Sequence, residues 1–417
     1  MAEKHLFVPG DGLCGTHVTW DDLEKSLQHS LNTRSQLGPN KSLKDFGDGK
    51  RLSPKLILVR ADWQPERDEL PQEFLVKIAT QLPVDQIKSK EDGEENDKKE
   101  NSAEQLLENE ALLKRSCNVE ITVYEQLAKI PNGKIKIPKI YASKKFTESN
   151  PTKGFIIMEH LRGVGKPRTL INYTPKQLKQ VLRFIAIATA NSLNASSEER
   201  EVFPKTPFKD IWSSGYVIEM WKKNLVELRS WGYGKFKGET ERLEEIASEL
   251  FDLNLADGLA EECGMTRVLC HGDLRPANVL WRLNDEEDLR FCTIIDYQRA
   301  HYGCTATDFV RLFSTALSGT DRRNHWEELL EVFYQYLQEE VGDKPMPYTL
   351  QQLKDAYCKF FPTGAALILP FFRLVYETNK HHLTHDPINQ VIEKTECLLS
   401  DIFYYHERFG KQENKRH

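Results

Sequence analysis

The sequence predicts an α+β protein of two lobes, with a mixed β-sheet lobe over residues 1–158 and a mainly helical lobe over residues 159–417. Three observations lead to this prediction. A chain of 417 residues is longer than one hydrophobic core usually supports. Short apolar, β-branched runs dominate the first part of the chain. In most of the second part, apolar residues recur at helical spacing.

The first lobe is predicted from two helices and four short apolar runs. Thr19 and Asp22 have the spacing of a capping box, which predicts a helix that continues to about Leu31. A long helix is expected over about Ala103–Ile130, and residues 84–104 before it are so rich in charge that they indicate a polar insertion. The predicted strands are Leu56–Val59, Phe74–Ile78, Lys136–Tyr141 and Gly154–Met158.

The second lobe is predicted from seven segments with helical spacing. Between Val268 and Asp296, two short strands are expected to flank a loop. We expect the two lobes to join near Met158–Leu161. The predicted helices are Thr174–Asn194, Phe208–Trp231, Glu239–Leu259, Asp308–Leu317, Asn324–Val341, Tyr348–Lys359 and Asn389–Phe409.

Composition narrows the class of protein. Hydrophobic residues at 39% and charged residues at 29% are typical of a globular chain, and no apolar run reaches the ~18 residues of a membrane span. The net charge of -6 gives no electrostatic reason to expect nucleic-acid binding. The eight cysteines form no C-x-x-C pair, which argues against a zinc site and a disulfide framework. We therefore expect a cytoplasmic protein without nucleic-acid or membrane partners, and the sequence leaves its oligomeric state open.

The segment His271-Gly-Asp-Leu-Arg-Pro-Ala-Asn278 carries the residue types that phosphoryl transfer needs. That chemistry requires a carboxylate near the acceptor hydroxyl and hard oxygen ligands for magnesium. Asp273 precedes Asn278 by five residues, and Asp296 follows the predicted strand Phe291–Ile295, which is the arrangement that kinases use. The joint pattern is far less expected by chance than any one of its residues.

The same segment, together with Ile295-Asp-Tyr-Gln298, resembles the choline kinase and aminoglycoside phosphotransferase group of small-molecule kinases. The chain is most similar to the CHK-kinase-like branch, which includes insect ecdysteroid kinases and a large nematode set. Gly15–Asp22 and Thr307–Phe313 look like that nematode set. The resemblance covers most of the chain. It implies a protein-kinase-like fold, ATP and Mg²⁺ as cofactors, and a small-molecule alcohol that accepts the γ-phosphate.

The resemblance also implies a role for each matching residue. Asp273 would be the base or orienting carboxylate for the acceptor hydroxyl, and Arg275 a cation that faces the transferred phosphate. Asn278 and Asp296 would bind magnesium. The nucleotide-binding candidates are Lys77, its helix partner Glu120, the hinge residues Met158, Glu159, His160 and Leu161, and Lys50 and Ser53 in the segment that replaces the glycine-rich loop.

Two departures from the protein-kinase pattern bear on function. Gly47–Ser53 has neither the G-x-G-x-x-G pattern nor a Walker A loop, because Arg51 follows the lysine. Asp296-Tyr-Gln replaces D-F-G and no long activation loop follows, so protein phosphorylation is disfavoured. The alternative to a small-molecule kinase is a nucleotide-binding pseudokinase or ligand-sequestering protein.

Other conspicuous side chains have a structural interpretation as well as a functional one. His271 and Asp308 are expected to brace the loop without touching substrate. A set of aromatic residues could form a cage for a quaternary ammonium group, although their helical spacing favours the core. These residues are Trp212, Tyr216, Trp221, Trp231 and Tyr233. Choline, ethanolamine, an ecdysteroid-like sterol, a sugar conjugate and a xenobiotic alcohol are all compatible acceptors.

Overall fold

The structure is a computed structural model that describes residues 5–46, 54–82, 103–164, 172–213, 215–283, 289–379 and 388–409. The chain divides into two compact units. The first unit is Met1–Glu125 with Ile137–Arg162, and the second is Gln126–Lys136 with Gly163–His417. Among the described residues, the first unit consists of strands and two α-helices and the second is mainly helical, so the predicted α+β class is confirmed.

The first unit is built on an antiparallel sheet of five strands in the order β2-β3-β5-β7-β6. Its central strand β5 pairs Lys77 with Leu56 on β3 and with Ile156 on β7. The elements of this part of the chain are α1 (Trp20–Ser30), β1 (Gln36–Leu37), β2 (Ser42–Asp45), β3 (Lys55–Arg60), β4 (Trp63–Gln64), β5 (Glu73–Ile78), α2 (Ala103–Leu127), β6 (Ile140–Lys144) and β7 (Phe155–Glu159).

Local sequence accounts for where two of these elements begin. The predicted capping box is present at α1, because Thr19 Oγ1 accepts from the Asp22 amide at 3.3 Å and Asp22 Oδ2 accepts from the Thr19 amide at 2.9 Å. The strand predicted over Lys136–Tyr141 was wrong in its bounds, since β6 begins only at Ile140. Pro138 lies just before it and has no amide hydrogen to give to a strand ladder.

The second unit is mainly helical, and several predicted helices are divided in the structure. The segment predicted as Phe208–Trp231 forms two helices, and the segment predicted as Glu239–Leu259 forms three. The last of these three follows Asp252, whose side chain caps it by accepting from the Leu255 amide at 2.9 Å. The helices are α3 (Pro175–Ser192), α4 (Ser197–Glu201), α5 (Pro207–Trp212), α6 (Gly215–Gly234), α7 (Lys237–Glu245), α8 (Ala247–Leu250), α9 (Leu253–Glu262), α10 (Ala306–Ala316), α11 (Gly319–Val341), α12 (Leu350–Ile368), α13 (Phe371–Asn379) and α14 (Ile388–Phe409).

Helix α12 continues past the predicted end at Lys359, through Pro362, to Ile368. A proline inside a helix costs about 3 kcal/mol because it removes a hydrogen bond and crowds the preceding turn. Every residue from Phe360 to Ile368 is buried, so packing offsets this cost. Among the described residues no single helix is long and apolar enough to cross a membrane, although α12 and α13, bent by 44°, pass that test as a pair on length and composition alone.

Four short strands, where two were predicted around Val268–Asp296, support the loop that carries the candidate catalytic residues. The strands β8 (Val268–Cys270) and β11 (His301–Gly303) form one antiparallel pair. The strands β9 (Val279–Leu283) and β10 (Leu289–Ile294) form another. The loop leaves β8, passes through a 3-10 turn at Pro276–Asn278 and enters β9, so both of its ends are fixed by strand pairing.

Lys394 on α14 is a buried lysine, with 5% of its surface exposed. Its Nζ donates to the Thr315 carbonyl, in the last turn of α10, at 2.8 Å. Burial, with the Arg322 guanidinium nearby, lowers the pKa of Lys394 to about 7. In the unfolded chain a lysine keeps its proton up to a pKa of about 10.4. Between these two values the unfolded state binds more protons than the folded state, so the stability contributed at this site rises with pH.

We therefore expect Lys394→Met to flatten the pH dependence of stability, by up to about 1 kcal/mol per pH unit between about pH 7 and 10. The measurement is urea unfolding, followed by circular dichroism, at several pH values in that window. The exposed Lys237, replaced by methionine on α7, is the matched control and should keep the wild-type slope. An unchanged slope in Lys394→Met would show that another group titrates.

Candidate active site

The loop from His271 to Asn278 is held at its start by one carboxylate. Asp308, in the first turn of α10, accepts from the His271 amide at 2.6 Å and from the Gly272 amide at 2.9 Å. Gly272 has φ +75°, and a Cβ at this position would lie 2.1 Å from the Arg299 carbonyl oxygen, so only glycine fits. The bracing role predicted for Asp308 is confirmed by these contacts.

His271 joins the loop to the end of β10. Its Nδ1 accepts from the Asp273 amide at 3.2 Å, so Nε2 carries the proton and donates to the Ile295 carbonyl at 2.9 Å. The Tyr297 ring lies 4.8 Å from the imidazole, centroid to centroid. His271 is buried, and both of its ring nitrogens have structural partners. The prediction that His271 is a brace is confirmed.

Asp273 is a buried carboxylate surrounded by cations. Arg311 Nη2 lies 2.6 Å from its Oδ1, and Arg275 Nε donates to its Oδ2 at 3.1 Å. Asn278 Nδ2 donates to the same Oδ2 at 3.3 Å. Burial alone would raise the pKa of the Asp273 carboxyl, but Arg311, Arg275 and Arg299 outweigh burial and hold that pKa well below its usual value. Asp273 is therefore ionised at any physiological pH.

Asn278 and Asp296, the predicted magnesium ligands, lie on neighbouring segments. The Asn278 carbonyl accepts from the Ile295 amide at 3.0 Å, which brings the residue before Asp296 against the loop. Asn278 Nδ2 donates to the Asp273 carbonyl at 2.8 Å, so the amide oxygen of Asn278 is the atom left for a cation. Asp296 has φ +71°, a left-handed conformation that aspartate tolerates better than most residues.

The donor set at Asn278 and Asp296 fits Mg²⁺ but is incomplete by itself. Both side chains offer oxygen, which magnesium prefers. Within the described parts of the chain, no group of three or more His, Cys, Asp or Glu side chains is arranged to hold a metal ion. A magnesium ion at this pair would take its other ligands from phosphate oxygens and water, as Mg²⁺ commonly does at nucleotide sites.

Two arginines of the site were not predicted from the sequence. Arg311 lies one helical turn after Asp308 on α10, so the same helix face that anchors the loop also brings a guanidinium to Asp273. The three-residue spacing from Asp308 to Arg311 could therefore have predicted this arginine from the sequence. Arg299 lies in the turn between Asp296 and β11, and no local pattern marks it. Burial lowers the pKa of the Arg299 guanidinium, although an arginine keeps its charge at neutral pH.

In the first unit, the structure brings Lys77 and Glu120 together. Lys77 Nζ on β5 lies 2.6 Å from Glu120 Oε2 on α2, and the two side chains are 14% and 3% exposed. The alternation of β5 turns Lys77 away from its buried neighbours Val76 and Ile78. A lysine on a sheet strand paired with a glutamate on the adjacent helix is the arrangement that kinases use to hold nucleotide phosphates.

We expect the Lys77–Glu120 pair to be worth about 1–3 kcal/mol in a double-mutant cycle of Lys77→Met and Glu120→Gln, because both charges are largely removed from water. Urea unfolding of the four proteins in the cycle gives this coupling energy. The matched control is Glu125 on the same helix, whose pair with Lys145 at 2.7 Å is exposed to solvent. The control cycle should give less than about 0.5 kcal/mol. Equal coupling in the two cycles would contradict the expectation.

The predicted hinge lies at the end of the sheet. Met158 and Glu159 are the last two residues of β7, and the Glu159 amide donates to the Lys139 carbonyl at 2.8 Å. His160 Nδ1 lies 2.7 Å from Glu73 Oε1, so this residue is tied to the neighbouring strand β5. Leu161 follows, and the chain leaves the first unit after Arg162. Contact between the backbone of Met158–Leu161 and adenine stays a prediction.

Lys50 and Ser53 lie outside the described residues, as does the rest of the segment 47–53 that replaces the glycine-rich loop. Their contact with nucleotide stays a prediction. Residues 84–102 of the predicted polar insertion, 84–104, also lie outside the described residues, and its last two residues begin helix α2 at Ala103.

The aromatic residues that could have formed a cage are largely core. Trp221 and Trp231 are 1% and 8% exposed, and the Trp221 indole nitrogen donates to the Ala366 carbonyl at 2.8 Å. Trp212 is buried as well, although part of it lines a cavity beside the catalytic loop. The core interpretation is confirmed for these three, whereas the side chains of Tyr216 and Tyr233 lie outside the described part of the structure.

We compared the chain with models of known protein families, with curated proteins and with solved structures. The family model described as "Uncharacterized oxidoreductase dhs-27" (DUF1679) matches residues 6–409. Two curated relatives come from Caenorhabditis elegans. "Uncharacterized kinase-like protein D1044.1" is 22% identical over 254 residues, which cover 61% of this chain and 65% of that protein. "Uncharacterized oxidoreductase dhs-27" is 26% identical over 256 residues, which cover 60% of this chain and 30% of that protein.

The chain thus spans just under two thirds of one relative and less than a third of the other. Among solved structures, choline kinase from Cryptosporidium parvum aligns at 14% identity and a TM-score of 0.48, over 90% of this chain and 93% of that one. The family match and the kinase-like relative confirm the predicted nematode kinase-like resemblance. With the Lys77–Glu120 pair in one unit and the Asp273 loop in the other, the fold is protein-kinase-like.

Proposed function

We propose that this chain, which belongs to the DUF1679 family, is an ATP-dependent small-molecule kinase that transfers the γ-phosphate to a hydroxyl group. The observation that carries the proposal is the hydrogen-bonded group of Asp273, Asn278 and the segment of Asp296. Asn278 donates to Asp273 at 2.8 and 3.3 Å and accepts from Ile295 at 3.0 Å. The carboxylate proposed for the acceptor and the two oxygen ligands proposed for magnesium thus belong to one hydrogen-bonded group.

In this proposal Asp273 orients the acceptor hydroxyl and takes its proton late in the reaction. The hydroxyl oxygen forms a bond to the γ-phosphorus, the bond from that phosphorus to the β,γ-bridging oxygen breaks, and ADP leaves with the bridging oxygen. Because Arg311 and Arg275 stabilise the Asp273 carboxylate, it is a weak base. Asp273 therefore contributes to catalysis mainly by positioning the acceptor hydroxyl. This suits a loose transition state, in which little proton transfer is required at the start.

The arginines around Asp273 supply the positive charge that a phosphoryl group requires. Arg275, Arg299 and Arg311 all act electrostatically on Asp273, so three guanidinium groups share one small region. The negative charge of a phosphoryl group in transfer is delocalised over its three equatorial oxygens. A guanidinium group can donate two parallel N–H hydrogen bonds to a pair of these oxygens. We assign Arg275 and Arg311, which contact Asp273 directly, as the cations nearest the reacting phosphate.

Each nucleotide-binding role is proposed for a separate set of residues. Lys77, oriented by Glu120, is proposed to hold the α- and β-phosphates, and the backbone of Met158–Leu161 to meet adenine. Asn278 and Asp296 would hold Mg²⁺, which when bound neutralises charge on the β- and γ-phosphates.

The test is phosphate transfer by the full chain with Mg-ATP and pools of alcohols of different classes. ADP release identifies active pools, and mass spectrometry identifies a product heavier by one phosphoryl group. Asp296→Ala is the inactive reference and Asp355→Asn, on an exposed face of α12, is the active one. If no alcohol gives turnover above the Asp296→Ala background, the assignment as a kinase fails.

One observation favours the second candidate, a nucleotide-binding pseudokinase or ligand-sequestering protein. Both oxygens of Asp273 are engaged, Oδ1 by Arg311 and Oδ2 by Arg275 and Asn278. An acceptor hydroxyl must displace or share one of these partners. Thermal shift with Mg-ATP separates the candidates: stabilisation by Mg-ATP with no turnover on any alcohol supports the pseudokinase, and turnover excludes it.

A further inference from the structure

Helix α2, which carries Glu120, is first buried at another charged residue. Residues 103–109 are exposed or half-buried, and Glu110 is the first buried side chain of the helix, with 4% of its surface exposed. A carboxylate in this position loses its hydration, and that loss is costly unless hydrogen bonds replace the water. The partners of Glu110 therefore show what holds the first half of α2.

These partners lie mainly in a segment that is remote in the sequence. Glu110 Oε2 accepts from the Leu6 amide at 3.2 Å and lies 3.2 Å from His5 Nδ1. Its Oε1 lies 2.5 Å from Lys114 Nζ, about one turn further along α2. Glu110 thus attaches α2 to the amino-terminal segment, residues 5–18, through the backbone of Leu6 as well as through a side chain.

The amino-terminal segment is in turn fixed to the sheet of the first unit. The Leu6 carbonyl accepts from the Gln81 amide at 3.0 Å, just beyond the end of β5. Leu13 and Val18 are buried in the same hydrophobic core as Val76 of β5. Leu6 therefore contacts α2 through its N–H and the extension of β5 through its carbonyl oxygen.

Strand β5 and helix α2 are thus linked at two points. One is the ion pair of Lys77 and Glu120, whose Nζ and Oε2 lie 2.6 Å apart. The other runs from Gln81 through Leu6 to Glu110. Glu110 and Glu120 are ten residues apart, which is about 15 Å along the helix axis. Since a hydrogen bond is lost beyond about 3.5 Å, a displacement of Glu120 by ~1 Å is enough to break its contact with Lys77.

The second half of α2 has a polar attachment of its own. Asn118 exchanges two hydrogen bonds with Phe146, at 2.9 and 2.8 Å, just beyond the edge strand β6. Asn118 and Glu120 lie within one turn of each other, so their contacts act at nearly one point of the helix. Apolar packing is non-directional and does not fix the rotation of a helix about its axis. Without Glu110, α2 is therefore free to pivot and rotate about that turn.

Kinases use the position of this helix glutamate as a control point, and in protein kinases the activation loop helps to set it. In this chain only a short turn separates Asp296 from β11, within a stretch that is fully described, so no long activation loop is present there. We propose that Glu110 is a positioning residue: by fastening α2 to the amino-terminal segment, it holds Glu120 against Lys77. The inference rests on the proposed kinase function, in which Lys77 binds the nucleotide phosphates.

The test is the double-mutant cycle of Lys77→Met and Glu120→Gln, measured by urea unfolding of the full chain with and without Glu110→Ala. We expect Glu110→Ala to remove at least about half of the coupling energy, because α2 would no longer be held in line with β5. Glu110→Gln keeps an oxygen that can accept from the Leu6 amide, so it should lose a smaller part and should fold even where Glu110→Ala does not. Coupling equal to that of the wild-type background in every variant that folds would overturn the proposal.

Two controls separate positioning from a general loss of stability. Asp22→Ala removes a largely buried carboxylate of the same unit, on α1, which lies 2.6 Å from Lys153 Nζ. This variant should lower stability and leave the coupling unchanged. Glu108→Ala, at an exposed position of α2, should change neither. A loss of coupling in Asp22→Ala as large as that in Glu110→Ala would overturn the proposal, because instability alone would then weaken the ion pair.

Binding of Mg-ATP tests the link to the nucleotide. Calorimetry with the full chain should give a Kd for Mg-ATP at least ~3-fold higher in Glu110→Ala than in wild type, because Lys77 would be less well placed to meet the phosphates. With an active acceptor, KM for ATP should rise, whereas KM for the acceptor at saturating Mg-ATP should stay constant. A lower kcat with unchanged KM for ATP would contradict a positioning role at the nucleotide site.

The positioning role and the kinase function can fail separately. If the wild-type chain phosphorylates no alcohol, the kinase assignment is wrong, and the coupling cycle still shows whether Glu110 holds the ion pair together. If the chain is an active kinase and the coupling survives the loss of Glu110, the kinase assignment is correct and the positioning role is wrong.

Discussion

Asp273→Asn is expected to lower kcat by about 10²- to 10⁴-fold, because the amide can neither orient the acceptor hydroxyl through a negative oxygen nor take its proton. Mg-ATP binding should stay unchanged or become tighter. Arg311 and Arg275 would no longer be neutralised by the Asp273 carboxylate, so their positive charge would be more available to the phosphates.

Steady-state kinetics with an active acceptor, together with calorimetry of Mg-ATP binding, check both parts of this expectation. The control is Asp355→Asn, which makes the same chemical change on an exposed part of α12 and should behave as wild type. A variant at Asp273 that keeps more than about a tenth of kcat would place the essential carboxylate elsewhere.

Asp273 also links stability to pH. Its pKa is held below the usual value, so the carboxylate contributes stability that is fully present above the unfolded pKa of about 3.9. That contribution is lost as the pH falls through the lower pKa of the folded state. The difference in unfolding free energy between wild type and Asp273→Asn should therefore be constant between about pH 5 and 8 and shrink below about pH 4.

Asp308→Ala is expected to lower the free energy of unfolding by about 3 kcal/mol. The substitution leaves the amides of His271 and Gly272 buried without their acceptor, and each of these hydrogen bonds was made to a charged group. Asp308→Asn keeps one acceptor oxygen but turns an NH₂ group toward the second amide, so its loss should be intermediate.

Urea unfolding measures the loss, and hydrogen exchange at His271 and Gly272 shows whether it arises in the loop. Asp355→Ala is the surface control and should fall within about 0.5 kcal/mol of wild type. A cost below about 1 kcal/mol for Asp308→Ala, or unchanged exchange at the two amides, would mean that water or another group replaces the carboxylate.

Much of the site was predictable because its residues come in short, local patterns. The spacing from His271 to Asn278 predicted the loop, and a lysine at the centre of an apolar strand predicted that Lys77 needs a partner. The partner was harder to choose, since α2 carries several glutamates. Only the burial of Glu120 and its 2.6 Å contact single it out from exposed residues such as Glu125.

The features that sequence did not predict depend on contacts between distant segments. Arg299 reaches the site through a turn whose course depends on pairing of β8 with β11, and no periodic pattern encodes that pairing. The predicted helix Glu239–Leu259 is interrupted before α9 because the Asp252 side chain caps α9 instead of facing solvent. The continuation of α12 through Pro362 depends on burial, which overrides local propensity.

The brace at His271 has a consequence for how ligands would influence one another. Ile295 accepts from His271 through its carbonyl and donates to Asn278 through its amide, so the loop and the segment before Asp296 close a ring of hydrogen bonds. Breaking one link loosens the others, and the two segments therefore open and order together as one cooperative unit. A ligand that orders the Asp296 side reduces the entropy that a second ligand must lose at the Asp273 side. On the proposed function, magnesium nucleotide and acceptor would therefore be thermodynamically coupled, each raising the affinity for the other by the same factor.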